Sequence, residues 1–174
     1  MGGEALSERG SMTSKEELLA SFDDVWSHPW ESFESTLKGV SEEEAWYQHP
    51  IYSKEEREEG HPLSGSILWH IVHLGHCYRW YKAKILSRPD KPAEVLPPEA
   101  KSLEEGIANL KLCRSELRGC ISSLSEDKFN EKLYDGKTVA DLVRASVRHD
   151  AWHGGQIAVA KRLYRFGAKD SGNT

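Results

Sequence analysis

Apolar positions recur along this chain at three- and four-residue steps, the spacing of one face of an α-helix. The first stripe runs through Leu18, Phe22, Val25, Trp26, Trp30, Phe33 and Leu37. Ser14, with Glu17 three residues on, forms a capping box at its start, and Gly39 ends it. Pro29 interrupts the stripe, so a kink is expected, or a restart with Pro29 in a first turn. Ser41-Glu42-Glu43-Glu44 then caps a short helix through about Tyr47. A second long helix is predicted from Leu63 or Ser66 to Leu86, with Ile67, His70, His73, Leu74, Cys77, Trp80 and Tyr81 facing inward. Ser102 caps a third, whose stripe is Leu103, Ile107, Leu110, Cys113, Leu117, Cys120, Ile121 and Leu124. A short helical turn around Ser125 to Phe129 and a tight Tyr134-Asp135-Gly136-Lys137 turn follow. Thr138-Val139-Ala140-Asp141 opens the fourth helix, which is expected to end near Phe166, before Gly167. Its stripe is Val139, Leu142, Ser146, His149, His153, Ile157, Ala160 and Leu163 or Tyr164.

Periodicity vanishes from His49 to Gly65, where prolines, glycines and the charged run Lys54 to Glu59 mark a loop. Arg88 to Pro98 holds four of the seven prolines and reads as an extended connector. No segment has the alternation of a strand. The pattern predicts an all-α protein, a four-helix bundle with a long second connection in place of a strict up-and-down series. Its domain is expected over residues 13–168, between unstructured tails at 1–12 and 169–174.

Composition narrows the function classes. At 174 residues the chain is long enough for one domain with a buried core. Net charge is −5 with the basic residues dispersed, which gives no footprint for nucleic acid. No apolar run approaches the roughly 18 residues of a membrane span, and the first dozen residues lack a signal-peptide core. Three cysteines, none in a Cys-x-x-Cys pair, point to a reduced, cytoplasmic protein in which they act as small hydrophobes.

Five of the eight histidines sit in two stretches, His70-Ile71-Val72-His73-Leu74-Gly75-His76 and His149-Asp150-Ala151-Trp152-His153. His149 and His153 stand four apart on the inward stripe, so they project from one face as neighbours. Buried imidazoles need partners, because an unsatisfied polar group costs on the order of 1–3 kcal/mol. A shared metal ion satisfies both; a backbone carbonyl or carboxylate for each is the alternative. His70, His73 and His76 step by three, so all three cannot point at one ion. The face argument favours the central His73 as third ligand, with His70 beside it or lining a pocket and His76 nearer the rim or a dimer surface. Three neutral imidazoles leave a coordination position open, as catalytic sites do, and suit zinc, nickel, iron or manganese.

Asp150 is read either as orienting a histidine or as a solvated carboxylate pairing with Arg148 or Arg144. Gln156 is a candidate partner of a metal-bound water, or an ordinary packed glutamine. Gly154 and Gly155 inside a helix cost roughly 1 kcal/mol each relative to alanine, which a close helix approach or a pocket mouth would explain. The His-Asp-x-x-His spacing departs from the metalloprotease His-Glu-x-x-His, whose base needs the longer side chain. In the loop, Glu58-Glu59-Gly60-His61 matches the Glu-x-x-His of di-iron bundles only formally, since Pro62 follows it directly.

Ser66-Ile67-Leu68-Trp69-His70-Ile71-Val72-His73-Leu74 is similar to the second-helix signature of the DinB/YfiT-like family of four-helix metalloenzymes. Tyr134-Asp135-Gly136-Lys137-Thr138, leading to His149-Asp150-Ala151-Trp152-His153-Gly154-Gly155-Gln156-Ile157, resembles its last helix. The likeness covers nearly the whole chain, from about Ser14 to Phe166. It implies a DinB-like bundle with a divalent metal at one end, held by His73, His149 and His153, often in a homodimer. Relatives of this kind include mycothiol-dependent maleylpyruvate isomerase and bacillithiol transferases, in which metal activates a low-molecular-weight thiol toward an electrophile. The resemblance therefore implies a metal-dependent, thiol-using transferase or detoxifying enzyme. Its main alternative is a non-catalytic, metal-binding dimeric bundle with a stress-associated or interaction role. Hydrolysis is a third reading, for which only Asp150 or His70 offers a general base.

Overall fold

The computed structural model describes residues 13–49, 64–88, 90–96 and 98–170. The loop Lys54 to Glu59, the Glu58–His61 motif and the first twelve residues lie outside the described residues. Among the described residues seven helices follow in order: α1 (Ser14–Ser27), α2 (Phe33–Leu37), α3 (Glu42–Trp46), α4 (Ile67–Ser87), α5 (Leu103–Ser122), α6 (Glu126–Phe129) and α7 (Val139–Asp170). Among the described residues the only β-type pairing is an isolated bridge between Lys132 and Thr138. The all-α bundle expected from the periodicity is the fold observed.

Helix starts follow their caps. Ser66, Ser102 and Ser41 each accept a backbone N–H three residues on, from Trp69, Glu105 and Glu44 respectively. Thr138 and Asp141 cap α7 reciprocally, Thr138 Oγ1 accepting from Asp141 N at 3.1 Å and Asp141 Oδ2 accepting from Thr138 N at 3.0 Å. Helix α1 departs from expectation by one residue. Its capping box is Thr13 with Glu16, and Ser14 Oγ instead reaches Glu126.

Three further departures follow. The first predicted helix is broken: residues 28–32 separate α1 from α2, and Ser32 restarts the helix with its own capping box. Trp30 falls in that break and is 84% exposed, off the inward stripe. Helix α7 continues through Gly167 to Asp170 instead of ending at Phe166. A glycine without steric demand lowers helix propensity but does not forbid continuation.

Helix α4 packs on α5 and α7, and α1 and α2 also pack on α7. Two glycines set the α4–α5 spacing. A Cβ at Gly106 would stand 2.8 Å from Leu68 Cδ1, and one at Gly75 2.9 Å from Pro98 Cγ. The proline-rich connector is thus pressed onto α4, with Pro98 and Ala100 buried. The core comprises Phe22, Trp26 and Phe33 from the first segment with Leu68, Ile71, Leu74, Leu110, Leu117, Ile121, Val139, Val143 and Ile157. Lys84, 1% exposed, pairs with Asp135 and lies 4.8 Å from the Trp80 ring and 5.0 Å from that of Tyr134. That anchors the turn before α7 to α4, at Gly136, whose φ of +81° only glycine adopts without strain. No helix among the described residues is long and apolar enough to cross a membrane.

Candidate metal centre

The α4–α7 contact brings four of the five clustered histidines together. His70 and His73 come from α4, His149 and His153 from α7. Ring centroids lie 4.5 Å apart for His149–His153, 5.0 Å for His73–His153, 5.0 Å for His70–His153 and 5.4 Å for His73–His149. His153 is fully buried at the centre. Its Nε2 is 2.9 Å from His149 Nε2, and its Nδ1 is 2.8 Å from His70 Nδ1. His73 and His149 are half-buried, at the margin of the cluster. Trp69 stacks flat on His73, centroids 4.9 Å apart and planes 7° from parallel. The exposed Trp152 sets its ring edge-on to His153 at 4.7 Å.

Cys77 joins the cluster; the sequence reading placed it on the inward face of this helix without counting it among the donors. Its Sγ lies 3.5 Å from His73 Nε2. One donor atom from each of His73, Cys77 and His149 falls within 4.8 Å of the other two. A signal was available: His73 and Cys77 stand four apart on α4, the same spacing as His149 and His153 on α7. Each helix therefore offers an (i, i+4) pair of donors to the other.

Burial decides protonation here. It lowers His73 and His149, takes His70 to about 4 with help from His73, and takes His153 to about 3 with help from its three neighbours. All four rings are therefore neutral at pH 7, the form that ligates a metal. Burial, then Asp150, pushes the Cys77 thiol up to about 11. Each neutral ring carries one N–H, so the chain His70–His153–His149 has a direction. Where His153 Nδ1–H donates to His70, the His153 Nε2 lone pair faces His149. In either direction His70 Nε2 and His149 Nδ1 are buried without a hydrogen-bond partner.

His73, Cys77 and His149 together could hold a divalent ion, and His153 lies outside that set, joined to it through His149. Two nitrogens, each about 2.0–2.1 Å from a tetrahedral ion, stand about 3.3 Å apart. The 2.9 Å between His149 and His153 needs only a few tenths of an ångström of opening. Imidazoles with one thiol suit zinc or a similar borderline metal.

The remaining sequence candidates fall elsewhere. Asp150 is fully buried and accepts a hydrogen bond from Tyr78 Oη at 2.7 Å. It is neither solvated nor paired with Arg148 or Arg144, and its partner is a tyrosine in place of a histidine. Arg144 pairs instead with Asp141. Burial raises the Asp150 carboxyl to about 7, against the lowering effects of Tyr78 and of Arg114. The reason lies in the helix period: Asp150 points about 100° away from His149, between α4 and α1 rather than toward the imidazoles. Gln156 is half-buried one turn beyond. His76 is half-buried outside the cluster. Gly154 and Gly155 line a groove of about 420 Å³ against Trp30, Phe33 and Thr36. A Cβ at Gly154 would meet only Phe33, at 3.7 Å, so a pocket edge explains these glycines better than close helix packing.

Comparison with curated proteins and with solved structures gives no match. A protein-family model does match, over residues 26–157, a span holding both donor helices down to Ile157. With its all-α bundle and its histidine cluster between the second and last long helices, the chain belongs to the DinB superfamily.

Proposed function

We propose that this protein is a metal-dependent enzyme of the thiol S-transferase or detoxification class. The observation that carries the reading is the convergence of neutral donors at the α4–α7 contact, with two of them half-exposed. His73 and His149 are partly exposed, while His153 is sealed behind. His73, His149 and His153 are the proposed ligands, with Cys77 as a further donor. A divalent ion held there would lower the pKa of a bound low-molecular-weight thiol and present its thiolate to an electrophile.

The chain's own residues prepare that chemistry. With His70 Nδ1 accepting from His153 Nδ1–H, the His153 Nε2 lone pair would be left for a metal, the part that outer partners play for metal-ligating histidines. Burial keeps the imidazoles unprotonated, so no proton competes for their lone pairs at neutral pH. Trp69 and Trp152 flank the cluster.

Metal content of the purified protein and of His149→Ala, followed by transfer assays with common bacterial thiols against electrophile panels, tests the proposal. About one equivalent of metal, lost in the variant together with activity, is expected. Metal-free protein with full activity overturns the mechanism.

One observation favours a second reading. With Cys77 3.5 Å from His73 Nε2, a fourth protein donor is at hand. A site closed by that thiolate would make the protein a non-catalytic metal-binding bundle. Turnover separates the two: the metal-loaded enzyme transfers thiol to an electrophile, whereas a closed structural site shows no transfer and loses stability in Cys77→Ser.

A further inference from the structure

One turn along the bundle from the histidines, a groove of about 390 Å³ opens between the C-terminal half of α4 and the start of α7. Its walls carry Lys84, Lys137, Arg144 and Arg148 against a single acid, Asp141, with Trp80 and Tyr81 as flat apolar surface. Four cations to one carboxylate is a local inversion in a chain whose net charge is −5. Asp141 is occupied by Arg144. Lys84 is itself buried, and its ammonium is held by Asp135 against the Trp80 and Tyr134 rings, so its charge is compensated and the groove's uncompensated cations are Lys137 and Arg148. Among the described residues, no ion pair joins Lys137 or Arg148 to a carboxylate.

The groove also leads to the candidate metal centre. Tyr81 follows Cys77 by one helical turn, and Ala145 precedes His149 by one, a rise of about 6 Å in each case. Arg148 is the chain neighbour of His149. Tyr81 and Arg148 line the groove together.

We propose that this groove binds a small, flat organic dianion, its anionic groups on Arg148 and Lys137 and its body against Trp80 and Tyr81. Guanidinium and ammonium groups supply charge-assisted hydrogen bonds, and the aromatic faces supply apolar contact. With Arg148 beside His149, one anionic group would sit toward the candidate metal centre and the other at the turn that ends in Lys137. That the occupant is a substrate rests on the function proposed above; that the groove binds dianions does not.

Phthalate is the probe, with 1,2-benzenedimethanol as its uncharged counterpart. Calorimetric titration of each uses intact protein at low ionic strength, metal-loaded and metal-stripped. Phthalate should bind both forms, weaken as salt screens the charges, and bind at least tenfold more weakly to the double variant Lys137→Gln with Arg148→Gln. The charge-preserving pair Lys137→Arg with Arg148→Lys should restore it, and the diol should not bind. Equal binding to the glutamine variant, equal binding of the diol, or no phthalate binding up to about 10 mM overturns the inference. Phthalate binding in a protein that takes up no metal would leave the groove standing and remove the enzymatic reading; the converse result would remove only the groove.

Discussion

Replacing Asp150 by asparagine removes a titrating group from beneath α7 while keeping the oxygen that accepts from Tyr78 Oη. The carboxyl moves from 3.8 to about 7 on folding. At 1.36 kcal/mol for each tenfold step in proton affinity, that is about 4 kcal/mol. The sign follows from linkage. A raised folded-state pKa means the folded chain holds the proton more tightly, so the contribution is fully present below about pH 4 and is lost as pH rises through about 7. The neighbouring histidines act in the opposite sense. Burial lowers His70 and His153, so they add stability as pH rises from about 3 toward 6.5. Taking the difference between variant and parent cancels them. The Asp150→Asn variant should therefore gain on the parent by about 3 kcal/mol between pH 5 and pH 8, the remainder of the change lying below pH 5. Urea denaturation followed by circular dichroism, on metal-free protein, reads this directly. A difference that stays flat with pH, or a parent more stable than the variant at pH 8, would refute a buried, raised carboxyl at this position.

Cobalt(II)-loaded protein should show a near-ultraviolet thiolate charge-transfer band that Cys77→Ser lacks, while the visible bands from histidine ligation survive. Identical spectra would remove Cys77 from the donor set. Gly106→Ala should lower stability by about 1–3 kcal/mol, because its Cβ would stand 2.8 Å from Leu68 Cδ1 in a packed interface. Gly155→Ala, where a Cβ meets nothing within 4 Å, should instead gain about 0.5–1 kcal/mol of helix propensity. Thermal melts of the two variants check both, and shifts in the same direction would contradict the α4–α5 spacing argument.

Sequence alone determined the elements and most of their inward faces. Serine caps at positions 41, 66 and 102 sit where their hydroxyls reach the third N–H onward. The α5 stripe is buried at Leu103, Leu110, Cys113, Leu117 and Ile121, as the period predicts. The tight turn at Gly136 and the four-apart histidines of α7 were equally legible, because these features depend on neighbours within one or two helical turns. Where two local signals competed, the apolar period was the weaker one. Trp30 carries the right period but falls after Pro29, in a break that Ser32 closes by starting α2 afresh. Only the tertiary structure decided which side chains of α4 meet those of α7. A helical period places a residue on a face, but the rotation and slide of one helix against another select the partners across the contact. That is why His70, and not His76, bonds His153, why Cys77 lies beside His73, and why Asp150 is turned onto Tyr78 with its charge buried.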